Sequence, residues 1–205
     1  KLACSKVTVG AEIGLMGLVK LGVKALFERV KKEKPEQYTS GYHSTAATSG
    51  DWSTAATSGD QSTAATSGYQ STAATSGYHS TAATSGYHST AATSGYQSTA
   101  ATSGNQSTAA TSGYQSTAAT SGDWSTAATS GDRSTAEANG KDSIAVANGY
   151  EAKCKGSLGC YIAITEYDEN FCLIDFQAIK VDGEKIKPDT YYVLKNGKFV
   201  EWEED

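Results

Sequence analysis

The residues able to do chemistry are few, and most of them recur at one place in a repeat. His43, His79 and His88 each follow a tyrosine and precede Ser-Thr-Ala-Ala. A histidine titrates near neutral pH and can serve as a general base. Catalysis also needs a nucleophile or carboxylate fixed beside it, and no such partner keeps constant spacing here. The histidines are therefore expected as exposed corner residues. Cys4, Cys154, Cys160 and Cys172 show no CxxC or Cys/His spacing, so neither a zinc site nor another metal or cofactor is expected. Calcium-binding nonapeptides need GGxGxD. Each nonamer here has one glycine, and Asp appears between the words only at Asp51, Asp60, Asp123 and Asp132. The acidic end, Glu201 to Asp205, reads as a solvated tail.

What positions these residues is a strict array. The word STAATSG starts at Ser44 and recurs every nine residues, ten times without substitution, the last copy starting at Ser125. Two variable residues separate the words. Three degenerate copies follow, at Ser134, Ser143 and Ala152. They stay small at positions one, three and five (Ser143, Ala145, Ala147). Positions two and four admit bulk or charge (Ile144, Lys153, Glu137, Val146, Lys155). Alternation of that kind marks a half-buried strand, with one, three and five inward. Gly at position seven is expected to turn the corner through positive φ.

Nine residues make a short strand and a corner, half a coil of a two-sided parallel β-solenoid. Two words close one coil of eighteen residues, and coils stack about 4.8 Å apart, giving a rod of roughly 29 Å. The hydroxyl-rich interior is expected to bond from coil to coil. Every second corner then aligns Tyr42, Asp60, Tyr78, Tyr96, Tyr114, Asp132 and Tyr150. The other edge aligns Asp51, Tyr69, Tyr87, Asn105, Asp123 and Lys141. Tyr78, Tyr96 and Tyr114 would stack as a ladder, a candidate self-association edge. Thr45, Thr63, Thr81, Thr99 and Thr117 would line one flat face; Thr54, Thr72, Thr90, Thr108 and Thr126 would line the other.

Flanking the array, Ala11 to Lys34 carries apolar Ile13, Met16, Val19, Val23, Leu26, Phe27 and Val30 at helical steps, ending before Pro35. This predicts an N-terminal strand and capping helix over 1–38. Lys20 and Lys24 interrupt its apolar run, which argues against a membrane span. Residues 39–156 form the solenoid. Residues 157–205 read as an antiparallel β-meander cap, with Asn196-Gly197 as a hairpin turn, a core of Ile162, Ile164, Ile174, Phe176 and Trp202, and Ile144 and Val146 beneath it. The formal net charge of -5 and the lack of a basic stripe argue against nucleic acid as a partner.

The string Gly41 to Gly50, Gly-Tyr-His-Ser-Thr-Ala-Ala-Thr-Ser-Gly, resembles the Gly-Tyr-x-Ser-Thr-x-Thr-Ala-Gly units of bacterial ice-nucleation proteins. That likeness implies a β-solenoid with Thr rows, a tyrosine ladder and a water-ordering surface. Ser143-Ile-Ala-Val-Ala is similar to head repeats of trimeric autotransporter adhesins. The array with VDGEKIKPDTYYVLKNGK looks like uncharacterised repeat proteins of gut bacteria and their phages. Together these readings describe a non-enzymatic structural or adhesive protein that forms a homo-oligomer or binds a surface. The alternative is an ice-binding or ice-nucleation-like surface. An enzyme sited in the C-terminal strands is the third reading. Cell surface, secretion and a phage particle are all compatible locations.

Overall fold

A computed structural model describes residues 36–203. The expected N-terminal helix lies outside the described residues. Strand β1 (Glu36–Thr39) is followed by one Thr-Ala-Ala-Thr strand every nine residues, from β2 (Thr45–Thr48) to β11 (Thr126–Thr129). The degenerate copies supply β12 (Thr135–Ala138), β13 (Ile144–Ala147) and β14 (Lys153–Gly156). Odd-numbered strands from β1 to β13 stack in a first sheet and even-numbered strands from β2 to β14 in a second, and the C-terminal strands bring each sheet to nine. Parallel register advances by one coil of eighteen residues, as in Thr45↔Thr63 and Thr81↔Thr99. The fold is an all-β parallel solenoid of about 7 turns.

Positions one, three and five point inward. The position-three alanines, Ala82 among them, are 0% exposed. The inward serines stitch each coil to the one before it. Ser98 Oγ accepts the N–H of Ser80 at 3.1 Å and donates to the carbonyl of Gly77 at 3.0 Å. The inward threonines behave differently. Apart from Thr120, which reaches Glu137 O at 3.5 Å, those of the invariant words, including Thr75, Thr84, Thr93 and Thr102, have Oγ1 atoms buried without a hydrogen-bond partner. Hydroxyl bonding between the coils of the invariant array is therefore mainly the work of serine.

The expected role of glycine is corrected. Within the invariant words the position-seven glycines, Gly95 among them, are not in the left-handed region, although Gly149 of a degenerate copy has φ 154; the residue two later is, as at Gln97 (φ 51) and His79 (φ 53). Glycine is required at Gly95 by close approach. A Cβ there would lie 1.7 Å from the carbonyl oxygen of Gly77 and 2.7 Å from Ser98 Oγ. Backbone of one coil sits where a side chain of the next would be.

The coil pattern also continues past Gly156. Strand β15 (Tyr161–Tyr167) pairs in parallel with β13, Ile144↔Tyr161, with one residue fewer in the corner. Cys160 Sγ donates to Gly140 O at 2.9 Å, the bond Ser143 Oγ makes to Gly122 O at 3.0 Å one coil earlier. Ile162 and Ile164 fill the inward sites.

Beyond it the strands do not form one meander. Strand β16 (Leu173–Lys180) pairs antiparallel with β15 on the first sheet. Strands β17 (Tyr192–Lys195) and β18 (Lys198–Glu201) form a hairpin on the second, joined through Cys154↔Tyr192. Its Asn196-Gly197 turn has the expected positive φ at both residues. The hairpin tip is fastened to the first sheet. Glu166 accepts the N–H groups of Asn196 (2.6 Å) and Gly197 (2.9 Å), and Gln177 Nε2 donates to Gly197 O at 2.8 Å. Val181, Ile186, Tyr192 and Leu194 pack beneath. Ile174 and Phe176, expected in the core, are 60% and 55% exposed. Ile144 is not covered either, since no described strand crosses that face.

Three substitutions test these assignments by urea unfolding. Gly95→Ala should cost about 3 kcal/mol, the upper end of overpacking costs. Thr93→Val, which exchanges an unpartnered buried hydroxyl for a methyl, should stabilise by about 1 kcal/mol. Glu166→Ala should cost about 1–3 kcal/mol and speed amide exchange at Asn196 and Gly197.

Candidate functional site

The site-forming residues lie on two corner edges and two flat faces. At each corner the second variable residue adopts the left-handed conformation although none in the array is glycine. That costs about 1–2 kcal/mol in an L-residue. In return its N–H reaches the next coil, as in His79 N→Tyr96 O (2.9 Å) and Gln97 N→Tyr114 O (2.9 Å). The corner thus carries a ladder of its own. The first variable residue is projected from it at the coil spacing.

Tyr78, Tyr96 and Tyr114 are brought together as expected. Ring centroids are 4.8 Å apart at 2° between Tyr78 and Tyr96, and 5.1 Å at 15° between Tyr96 and Tyr114. On the opposite edge Tyr69 and Tyr87 stack at 5.8 Å. Each histidine stands edge-on to its own tyrosine, His79 at 4.2 Å from Tyr78 and His88 at 4.3 Å from Tyr87. Hydrogen bonds extend the first edge: Gln97 Nε2 donates to Gln115 Oε1 (2.9 Å), and Arg133 Nη1 to Tyr114 OH (3.1 Å). The rings remain open to solvent along their rims, Tyr78 at 44% and Tyr96 at 37%.

The corner aspartates have a role that sequence reading missed. Asp60 Oδ1 accepts the N–H of Tyr78 at 2.9 Å, and Asp132 Oδ1 that of Tyr150 at 2.8 Å. Asp51, Asn105 and Asp123 make the same bond to the next coil. The signal was present, since Asp and Asn bind backbone N–H groups at turns. Where Asp or Asn stands first at a corner its side chain ties the coil to the next, and where tyrosines succeed one another their rings do.

Both threonine rows are in register. Thr45, Thr63, Thr81, Thr99 and Thr117 pair in sequence on the second sheet, and Thr54, Thr72, Thr90, Thr108 and Thr126 on the first. Beside each Thr column runs an outward Ala column, about 6.8 Å away by strand geometry. On the second sheet a shallow groove of about 450 Å³ follows Ala65, Ala83, Ala101 and Ala119.

No family model, no curated protein and no solved structure matches this chain.

The faces, identical within the array, diverge at the C-terminal end. The first ends in Ile144, Tyr161 and Phe176, all exposed. The second ends in a charged and aromatic network. Lys155 Nζ lies 3.1 Å from Glu137, whose other oxygen accepts the Tyr191 hydroxyl at 2.5 Å. Lys153 Nζ sits 3.2 Å from the Trp202 ring centroid. Burial and the Glu137 bond push the Tyr191 phenol above its ordinary value. Among the described residues no group of three or more His, Cys, Asp or Glu converges on a common point, and no helix is long and apolar enough to cross a membrane.

Cys154 occupies an inward alanine site and is fully buried, which pushes its thiol up to about 12. Burial disfavours the thiolate, so at pH 8 the group stays protonated and unreactive. Peptide mapping after iodoacetamide at pH 8 should find exposed Cys172 alkylated and Cys154 unmodified in the folded protein.

Proposed function

We propose that the chain is a non-enzymatic structural or adhesive repeat protein whose corner edge joins it to a second copy or to another surface. The observation that carries this reading is the tyrosine ladder. Tyr78, Tyr96 and Tyr114 are stacked and held in one line, with their rims open to solvent. A row of pre-ordered rings loses little side-chain freedom on association, and aromatic groups dominate interface energetics. The C-terminal hairpin fits the role of an end cap, because an open coil end exposes strand edges that invite uncontrolled growth. Self-association is thereby directed to the sides of the rod. The likeness to ice-nucleation and adhesin repeats agrees with a surface-displayed, secreted or phage-borne rod.

Light scattering tests the edge. Changing Tyr78, Tyr96 and Tyr114 together to Ser should reduce the mass of the wild-type oligomer to that of one chain. An unchanged mass would remove the ladder as an interface.

A water-ordering surface is the second reading, favoured by the in-register column Thr45 to Thr117 beside its alanine column. It requires thermal hysteresis or a raised droplet-freezing temperature at high micromolar protein, abolished by Thr81→Lys. Absence of both effects in the wild type would eliminate it.

A further inference from the structure

Charge enters the repeated strands only near their end. The ten invariant words contain no charged letter, and Arg133, Glu137, Glu151, Lys153 and Lys155 all follow them. Three of these, Arg133, Glu151 and Lys153, converge with the β17–β18 hairpin on a cleft of about 910 Å³. That volume falls within the range of small-ligand sites. The cleft continues the first corner edge, reached through Gln115 and Tyr150, and it includes Trp202 from the segment following β18.

The charges lining it nearly balance, with Arg133, Lys153 and Lys195 facing Glu151, Glu166, Glu201 and Glu203. Arg133 Nε donates to Glu151 at 2.8 Å, and Lys187 meets Glu201 at 2.7 Å. Glu166 holds the hairpin tip, and Lys153 lies over the Trp202 ring. Such a lining has little net charge with which to draw in a phosphate or a metal ion. It offers instead fixed donors and acceptors side by side. The guanidinium has five N–H groups, of which Nε serves Glu151 and one on Nη1 serves Tyr114. Glu151 meets Arg133 through Oε2, with its carboxylate half exposed.

Planar donor–acceptor pairs next to aromatic rings suit one ligand chemistry above others. A sugar ring has a C–H face that packs on an aromatic ring and a rim of hydroxyls that donate and accept together. A peptide is commonly read by backbone pairing along a strand edge, whereas the Arg133–Glu151 pair offers a side-chain donor beside a side-chain acceptor. We propose that the C-terminal cleft binds a neutral oligosaccharide, with Arg133 and Glu151 reading its hydroxyls and the aromatic wall packing on its ring. The site lies on the same edge beyond the ladder, to which Arg133 is joined through Tyr114 OH, but Tyr78, Tyr96 and Tyr114 themselves do not line it.

The test uses the full chain carrying Trp52→Phe and Trp124→Phe, which leaves Trp202 as the sole tryptophan. Its fluorescence is titrated with neutral hexasaccharides of glucose, N-acetylglucosamine and mannose. At least one should give a saturable change at millimolar sugar, with affinity about tenfold weaker in Arg133→Ala and in the near-isosteric Glu151→Gln. Tyr78→Ser, on the same edge but remote from the cleft, should leave the titration unchanged. No saturable response to any of the sugars would overturn the proposal. So would a response that both cleft variants retain, or saturation by inorganic phosphate or a random decapeptide mixture in place of the sugars.

Discussion

The structure depends on how closely one coil lies on the next at the corners. At Gly95 the carbonyl of Gly77 occupies the space of a side chain, and Ser98 Oγ bonds that same carbonyl. Glycine and serine act as one device: the first admits the neighbouring backbone, the second ties it down. A chain that repeats this contact every nine residues has no freedom in its rise. The stacking of Tyr78 on Tyr96, the pairing of Asp60 with the N–H of Tyr78, and the registry of Thr81 on Thr99 all inherit that spacing.

A narrow interior explains the composition. With Ser, Ala and Thr inside, each coil buries little apolar area, so backbone ladders and close packing must carry much of the cohesion. The wider end needs a different solution. There Ile162 and Ile164 replace the small inward residues, and the hairpin brings Tyr192 and Leu194 over them. Its anchoring by Glu166 is polar, because the tip presents two backbone N–H groups that would otherwise be left at the boundary of a packed end.

Much of this was legible in the array. The alternation of small and tolerant positions in Ser143 to Ala147 and Ala152 to Gly156 gave the inward face, and the eighteen-residue coil aligned Tyr78, Tyr96 and Tyr114. The conformation of Gly95 was not legible, because a glycine kept for close approach and a glycine kept for positive φ look the same in one sequence. The continuation through Cys160 was hidden by a one-residue deletion and by sulfur standing in for a hydroxyl. Ile174 and Phe176 misled for a physical reason as well. Alternation in β16 says that one face of the strand is apolar, but not that this face is covered, and here it points outward. The cleft could not be seen at all, since it joins Arg133 and Glu151 to Trp202 through the path of a hairpin that no local pattern encodes.

The eighteen-residue coil is most directly tested by cross-linking, in a background with Cys4 and Cys172 changed to Ser. Tyr78→Cys with Tyr96→Cys places two thiols on neighbouring coils, about 4.8 Å apart along the rod, within reach of a disulfide. Tyr78→Cys with Tyr87→Cys places them on opposite edges. Mild oxidation should close the first pair within one chain and leave the second reduced. Closure of the Cys pair at 78 and 87, with none at 78 and 96, would contradict the coil itself.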